Sequence, residues 1–326
     1  MTEPVRAFRL ILRQFLLLVA VAVAVFAMMK ASPVDPVDAY LGPAMARVGP
    51  EQKAQIAASW GLNRPVPDQF FAWAGNVLSG NLGFSSAYNM PVSRVLADRA
   101  LASLALTGLA WALSGVLGFA LGLLAGATAG RWPDRVIRVY CYTLAATPTF
   151  WLAMLTLAVF SVQLGWAPIC CAGPIGVLPE DVTLGQRFEH LILPLAVLTA
   201  FGVAQIALHT RVKLIEVFES DYVLLARAQG ASTWDIVRHH GVRNAGIPAL
   251  TALFATMGEI IGGSVLAEQV FAWPGLGRAT VEAGLKGDVP LLMAIALLTA
   301  LLVSTGNMIA DELTRRIDPR IRAGSR

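Results

Sequence analysis

Charged residues are scarce in this chain. Only 14% of its 326 residues are Asp, Glu, Lys or Arg, while 56% are apolar, and the mean hydropathy is +0.63. Soluble globular proteins carry about 25% charged residues. This scarcity, together with repeated apolar runs of about 20 residues, excludes an ordinary soluble domain and predicts a polytopic membrane protein.

Reactive and ligating residues are also few. The three cysteines, Cys141, Cys170 and Cys171, match no zinc or redox spacing. The adjacent pair is not expected to form a disulfide, because neighbouring Cα atoms lie too close for relaxed geometry; a soft-metal contact is the alternative. The four histidines are interpreted as structural or interfacial residues: His190, His209, His239 and His240.

A phosphate-binding loop of the form Gly-x-x-x-x-Gly-Lys-Ser/Thr is absent from the sequence. The chain also shows no nucleophile–base arrangement. We therefore predict no catalytic residue, no metal site, no cofactor, and no ATP binding through such a loop.

Six apolar runs predict an all-α protein with six transmembrane helices, because backbone polar groups in hydrocarbon must be paired within a helix. The runs lie near residues 10–29, 101–126, 136–163, 191–209, 246–267 and 289–312. They divide the chain into an N-terminal transmembrane helix (1–30), an extracytoplasmic segment (31–100), a transmembrane domain (101–312) and a tail (313–326). A cleaved signal peptide is the alternative interpretation of the first run.

Lys and Arg are distributed unevenly among the short connections. The short connections after the third and the fifth predicted spans hold only Arg187, Arg278 and Lys286. The positive-inside rule therefore predicts that both termini and the tail are cytoplasmic. The net charge of +4 then belongs to loops that face anionic lipid, and nucleic acid is not expected as a partner. The cytoplasmic group comprises Arg6, Arg9, Arg13, Arg131, Arg135, Arg138, Arg211, Lys213, Arg227, Arg238, Arg243, Arg315, Arg316, Arg320, Arg322 and Arg326.

A polar, basic insert at 221–248 separates two of the apolar runs, and short motifs accompany it along the chain. In their order and spacing they resemble the peptide/nickel permease family of ABC importers. The motifs are Asp35-Pro36, Gly61-Leu62-Asn63-Arg64-Pro65, Gly80-Asn81-Leu82-Gly83-Phe84-Ser85, Thr147-Pro148-Thr149-Phe150-Trp151, the segment from Glu268 to Gly277, Asp288-Val289-Pro290 and Asp318-Pro319-Arg320.

The resemblance implies the type I ABC-importer permease fold, with an external segment after the first helix. It implies a multi-pass permease subunit in the bacterial inner membrane that performs no covalent chemistry. Its expected partners are a second homologous permease, two ABC ATPase subunits that hydrolyse ATP, an extracytoplasmic substrate-binding protein and the lipid bilayer.

The insert resembles the coupling loop that contacts the ATPase in this family, and we assign it to residues 210–245. Small residues allow a partner to approach the backbone, arginines offer charge-assisted contacts, and a tryptophan offers an apolar anchor. An ordinary solvated basic loop is the alternative. The candidate contact residues are Ala226, Arg227, Ala228, Gly230, Trp234, Arg238 and Arg243.

A second candidate group follows the fifth predicted span. The resemblance places it near the external mouth, where it would act as a gate or contact the binding protein. The alternative is that its aromatic residues anchor the chain at the membrane interface. The group comprises Phe271, Trp273, Pro274, Gly275 and Gly277.

Glu259 is the candidate pathway residue, because an ionisable group at membrane depth is costly and indicates function. Its surroundings look more like nickel-type than peptide-type permeases, so nickel or a nickel chelate is the first substrate hypothesis. Import of di- or oligopeptides is the alternative, and a helix–helix hydrogen bond is the structural one. An ion-driven secondary transporter is a remote alternative that would require more intramembrane ionisable groups.

Overall fold

A computed structural model describes residues 3–31, 35–41, 47–178 and 180–317. Helices dominate this part of the chain: α1 Glu3–Ala31, α2 Pro36–Leu41, α3 Pro50–Ser59, α4 Val66–Leu78, α5 Val92–Ala127, α6 Trp132–Ala146, α7 Thr149–Thr156, α8 Leu184–Phe218, α9 Asp221–Ala228, α10 Thr233–Ile236, α11 Val242–Ala255, α12 Met257–Val270, α13 Leu276–Lys286 and α14 Val289–Ile317. Two π-helical stretches follow α7 and α10, at Leu157–Gln163 and Val237–Gly241. Strands β1 (Phe84–Ser85) and β2 (Met90–Pro91) form a small antiparallel hairpin.

The chain divides into two compact units. The first comprises residues up to 101 together with 275–305, and the second comprises 102–274 together with the residues from 306 onward. The predicted boundaries at residues 30, 100 and 312 separate membrane-spanning segments from segments on either side of the membrane. The two compact units reflect contacts within the chain, so they do not test those boundaries. Asp318-Pro319-Arg320 and residues 318–326 of the predicted tail lie outside the described residues, while residues 313–317 belong to α14.

Four described helices are long and apolar enough to cross a membrane: α1 over Ile11–Ala31, α5, α8, and α14 over Val289–Ile309. A fifth span is added if α6 and the following helix to Gln163 are counted together, although they are bent by 107°. The bend follows from Pro148, because the residue before a proline is pushed out of the helical region. Thr147 is indeed extended, with φ −96° and ψ 126°.

The predicted span at 246–267 is interrupted. Helices α11 and α12 contain 14 residues each and meet at Thr256. A helix of this length extends about 21 Å, which is less than the roughly 30 Å of a hydrocarbon core. Six continuous transmembrane helices are therefore not confirmed in the described part of the chain.

Helix α8 is longer than the sequence predicts. It runs for 35 residues without interruption although Pro194 lies inside it, and it begins with a capping box between Thr183 and Gln186. Its last residues occupy the start of the predicted coupling loop at 210–245. The rest of the connection at 210–245 consists of α9, α10, the second π-helical stretch and the start of α11, joined by short turns.

Short polar motifs hold the first unit together. Gly61 adopts φ +70° directly after α3, the left-handed conformation with which a glycine commonly ends a helix. The Ser85 hydroxyl and the Ala87 N–H both donate to Asp288 Oδ2, at 2.5 and 2.9 Å. Asp288 Oδ1 also accepts from Leu291 N at the start of α14. The hairpin and the Asp288-Val289-Pro290 motif are thus parts of one hydrogen-bonded structure.

Helix α8 lies at the centre of the second unit and packs closely on α5. Glycines spaced by four residues on α5 allow this approach. A Cβ atom at Gly118 would lie 2.8 Å from Ile206 Cβ, and one at Gly122 would lie 2.5 Å from Thr210 Cβ. Larger residues at these positions would push the two helices apart.

Candidate functional site

The coupling segment, defined as residues 221–241, comprises α9, a turn, α10 and the second π-helical stretch. Its apolar side chains Val223, Ile236 and Val237 are buried against Leu214 and Val217 of α8. Gly241 brings the backbone close to α8, since a Cβ atom there would lie 2.6 Å from Leu214 Cδ1. The segment is therefore fixed to α8 by a small apolar core of its own.

The turn between α9 and α10 depends on Gly230. This residue adopts φ +92°, a left-handed conformation that glycine enters at little cost. Its N–H donates to Arg227 O, and the next N–H, of Ala231, donates to Ala226 O. These two bonds satisfy carbonyls at the end of α9, as in other helix ends closed by a left-handed residue.

Helix α10 begins with a capping box. The Ser232 hydroxyl accepts from Asp235 N, and the Asp235 carboxylate accepts from the Ser232 hydroxyl and N–H. The two bonds that Ser232 donates hold the pKa of the Asp235 carboxyl below its usual range. Because this carboxyl stays ionised near neutral pH, the cap that precedes Trp234 persists there.

The outer face of the coupling segment is apolar and exposed. Trp234 has 71% of its surface exposed, Leu224 68% and Leu225 61%, and Tyr222 is also exposed. Large apolar side chains that stand exposed on one short segment are candidates for contact with another molecule. Sequence reasoning selected Trp234 but missed Tyr222, Leu224 and Leu225. The signal that could have found them is the polar pair Ser220-Asp221, which precedes a short apolar run with one buried residue, Val223.

The predicted coupling residues lie on or beside this face. Arg227, Ala228, Gly230, Arg238 and Arg243 are exposed, and Ala226 is half-buried. The Arg227 guanidinium lies 5.5 Å from the centre of the Phe218 ring, which orients it. The structure thus brings together an aromatic anchor, small residues and basic side chains on one short segment.

The group at 271–277 has the opposite character. Phe271 packs with Ala153, Leu193 and Val197, whereas Trp273 packs with Leu106 and its neighbours and donates from Nε1 to Ala102 O at 3.1 Å. Gly275 and Gly277 are buried, and Pro274 is half-buried. The interpretation of Phe271 and Trp273 as membrane-interface anchors is corrected, because the core of the second unit takes up their rings. A role of the group as a gate or in contacting the binding protein stays a prediction.

Cys170 and Cys171 form a disulfide in the structure, which corrects the expectation that this adjacent pair stays unpaired. Cys171 adopts φ +75°, a conformation that non-glycine residues rarely enter. Its N–H donates to Phe271 O at 2.8 Å, and His190 Nδ1 lies 2.7 Å from Cys170 O. Cys171 thus ties the loop before α8 to the buried Phe271, and His190 ties the same loop to α8 itself.

Glu259 lies in the first turn of α12, and its side chain is outside the described residues. Its neighbours Gly258 and Gly262 are exposed, and a Cβ atom at Gly262 would meet nothing within 4 Å. Gly263, by contrast, faces Thr149 of α7 at 3.5 Å. The start of α12 therefore carries an open face beside the position of Glu259.

Sequence reasoning missed a second acidic residue of α12. Glu268 is fully buried, and its Oε1 accepts from the Ser103 hydroxyl at 2.6 Å. Its position directly before the Phe271 segment is the signal that could have found it. Among the described residues, no group of three His, Cys, Asp or Glu side chains could hold a metal ion.

Comparison with known proteins identifies the family. Residues 118–323 match the family described as "Binding-protein-dependent transport system inner membrane component". The oligopeptide transport system permease AppB of Bacillus subtilis is 33% identical over 306 residues, which cover 94% of this chain and 95% of AppB. The glutathione transport system permease GsiC of Salmonella choleraesuis is 36% identical over 311 residues, with 94% of each chain covered.

The fold has a solved counterpart in the inward-facing MetNI methionine ABC transporter. The alignment has a TM-score of 0.53 and 19% identity, and it covers 69% of this chain and 96% of that one. This likeness supports an ABC-importer permease fold, and the relatives above extend the match over nearly the whole chain. The chain belongs to the family of inner-membrane components of binding-protein-dependent transport systems, as a permease and not itself an ATPase.

Proposed function

We propose that this chain forms, with a second homologous permease, the pathway through which an ABC importer moves di- or oligopeptides across the inner membrane. Membership of a binding-protein-dependent system implies ATPase and binding-protein partners. The names of the relatives reported above refer to oligopeptides and glutathione. The nickel hypothesis of the sequence analysis finds no support among them, and peptide import takes its place.

The observation that carries this proposal is the exposed face of the coupling segment. The exposed apolar side chains of this short segment, with the exposed Arg227 and Arg238 in it and Arg243 just after it, fit a partner with an apolar groove and acidic groups. A pair of ATPase subunits would bind this face and the matching face of the second permease. Movement of the ATPases would then reach α8 through the apolar core beneath the segment.

We further propose that the chain crosses the membrane six times, with both termini in the cytoplasm. In this topology α6 with α7 forms one bent span, and α11 with α12 forms one interrupted span. The uneven distribution of Lys and Arg supports it. Interrupted spans are common where transporters bind substrate near the middle of the membrane.

Glu259 is the residue that we propose to meet the substrate. It follows the interruption at Thr256, and its neighbours Gly258 and Gly262 leave space on α12. A carboxylate there would attract the positively charged amino terminus of a peptide. For Glu259→Gln we expect normal assembly and basal ATPase activity with reduced peptide uptake, while Glu180→Gln, an exposed loop change, should transport normally.

The experiment that tests the proposal is uptake in cells that lack other peptide and nickel importers. The chain is expressed with its partner permease, ATPases and binding protein, and cells receive labelled dipeptide, oligopeptide, glutathione or radioactive nickel. We expect ATP-dependent accumulation of at least one peptide and none of nickel. Uptake of nickel alone would restore the original substrate hypothesis.

A further inference from the structure

A buried carboxylate in the second unit joins three elements beside the coupling segment. Asp134, in the first turn of α6, is fully buried. Its Oδ1 accepts from Arg211 Nε at 2.5 Å, and its Oδ2 accepts from Arg211 Nη2 at 2.9 Å. The backbone N–H of Gly130 also donates to Oδ2 at 2.9 Å, and Arg138 Nε lies 3.3 Å from Oδ1. One side chain therefore holds the α5–α6 turn, the start of α6 and the C-terminal part of α8.

The geometry of this group is restrictive. Two parallel bonds between a guanidinium and a carboxylate fix both the distance and the orientation of the two side chains. Gly130 adopts φ +78° in the turn, so its N–H points at the carboxylate from a defined backbone conformation. A buried pair of this kind adds little net stability compared with apolar residues, but it specifies one arrangement of its elements.

The same stretch of α8 carries the coupling segment. Leu214, one helical turn after Arg211, is fully buried among Val223, Ile236 and Val237 of that segment. It also touches the end of α5, where a Cβ atom at Gly126 would lie 2.8 Å from Leu214 Cβ. Residues 211–217 of α8 thus receive the coupling segment on one side and the ends of α5 and α6 on the other.

We propose that Asp134 is a positioning residue for energy coupling: through Arg211 it locks the adjoining ends of α5 and α6 to the part of α8 that carries the coupling segment. A displacement of that segment by the ATPase then moves the three helices together. Without the lock, α8 shifts alone, and the spans that form the pathway do not follow. This inference rests on the proposed role of the coupling segment in binding the ATPase.

The test compares three variants of the assembled transporter with the unmodified form, all reconstituted into sealed liposomes. Asp134→Asn removes the charge at constant size but leaves Arg211 without its partner, which can prevent folding. The double variant Asp134→Asn with Arg211→Gln removes both charges of the bidentate pair and lets two neutral amides pair. Arg138 keeps its charge, and its side chain, which is 36% exposed, stays accessible to water. The matched control is Lys213→Gln with Glu216→Gln, which removes an exposed ion pair of the same helix.

Four quantities are measured for each form: abundance, melting temperature, the amount of ATPase that co-purifies, and labelled dipeptide transported per ATP hydrolysed in the presence of binding protein. For the double variant we expect the first three to match the unmodified transporter. We expect transport per ATP to fall about tenfold, within the roughly 5- to 150-fold range of couplings between distant sites. The control should match the unmodified transporter in all four.

A double variant that folds, retains the ATPase and transports as many peptides per ATP as the unmodified form would overturn the proposal. A loss confined to abundance or melting temperature, with transport per ATP unchanged, would overturn it too, because the pair would then be only structural. Failure of the unmodified chain to retain the ATPase would instead count against the proposed role of the coupling segment.

Discussion

Two tryptophan-bearing segments of the second unit differ sharply in how they present their side chains. In the coupling segment, Trp234 is 71% exposed, and Leu224 and Leu225 of the same segment are exposed too. In the Phe271–Pro274 segment, Trp273 is only 6% exposed and donates its indole N–H to Ala102 O. The tryptophan of the coupling segment is therefore accessible to another molecule, whereas the tryptophan of the Phe271–Pro274 segment packs within this chain.

The difference shows what each tryptophan is expected to contribute. A buried aromatic ring with a satisfied N–H stabilises the fold of the chain that contains it. An exposed ring flanked by arginines contributes nothing to that fold but contributes to binding once a partner covers it. Substitution at the two positions should therefore separate folding from assembly.

The largest effect is expected at Trp273. Replacing a buried tryptophan with alanine costs about 3–5 kcal/mol through lost contacts and the cavity left behind. For Trp273→Ala we expect strongly reduced abundance in the membrane and a lower melting temperature of whatever protein remains. Trp166→Ala, at an exposed tryptophan of the same unit, is the control and should change neither. Normal abundance of the Trp273 variant would contradict the structural role assigned to it.

A smaller and different effect is expected at Trp234. Loss of a central aromatic anchor weakens binding by about 2 kcal/mol, or roughly 30-fold in affinity. For Trp234→Ala we expect unchanged abundance and melting temperature, less ATPase co-purified with the permease, and reduced uptake. Leu184→Ala, which removes an exposed apolar side chain from the start of α8, should leave ATPase binding unchanged. Full ATPase retention by the Trp234 variant would place the docking surface elsewhere.

The two segments also show how far sequence alone can lead. The motifs around them suffice to predict an all-α permease that works with a partner ATPase, while the assignment of the coupling insert stays a prediction. They do not distinguish an exposed tryptophan from a buried one, because the burial of Trp273 depends on Leu106 and Leu198, which are distant in sequence. The Asp134–Arg211 pair could not be predicted from the sequence for the same reason, since its two members lie 77 residues apart.

Local sequence signals have a similar limit in the spans. Pro148 and Pro194 both lie in apolar runs, yet only the first accompanies a sharp bend. Helix α8 continues through Pro194 because neighbouring elements bury it on both sides of the proline, with Leu193 and Val197 in one apolar cluster. Packing of this kind is visible only when the elements are assembled.

A further prediction separates two reasons for a glycine at position 230. The space around it is empty in this chain, so crowding by a side chain can arise only from a partner. Gly230→Ala should cost about 1–2 kcal/mol because alanine disfavours the left-handed conformation. Asparagine tolerates that conformation better, so Gly230→Asn should restore abundance if the backbone alone matters.

ATPase retention and uptake decide between the two reasons. If the partner approaches the backbone at Gly230, Gly230→Asn should fold normally and still lose ATPase, because its side chain stands between the two surfaces. If ATPase retention and uptake are both normal in the asparagine variant, Gly230 serves only the turn. The prediction that a small residue here lets a partner approach the backbone is then wrong at this position.

The smallest effect on the protein itself is expected in a test of membrane topology, which asks whether the coupling segment faces the cytoplasm. The unmodified chain should not react with an impermeant thiol reagent until a reductant opens the Cys170–Cys171 bond, since Cys141 is buried.

With Cys170 and Cys171 replaced by serine, single cysteines are introduced at Glu180 and at Trp234, both exposed positions. From the distribution of Lys and Arg we expect Glu180→Cys to label in intact cells and Trp234→Cys only after lysis. The permease is expressed without its ATPases, so that both positions remain exposed and a failure to label reports the side of the membrane rather than burial. Labelling of Trp234→Cys from outside would reverse the topology and remove the coupling segment from the reach of any ATPase.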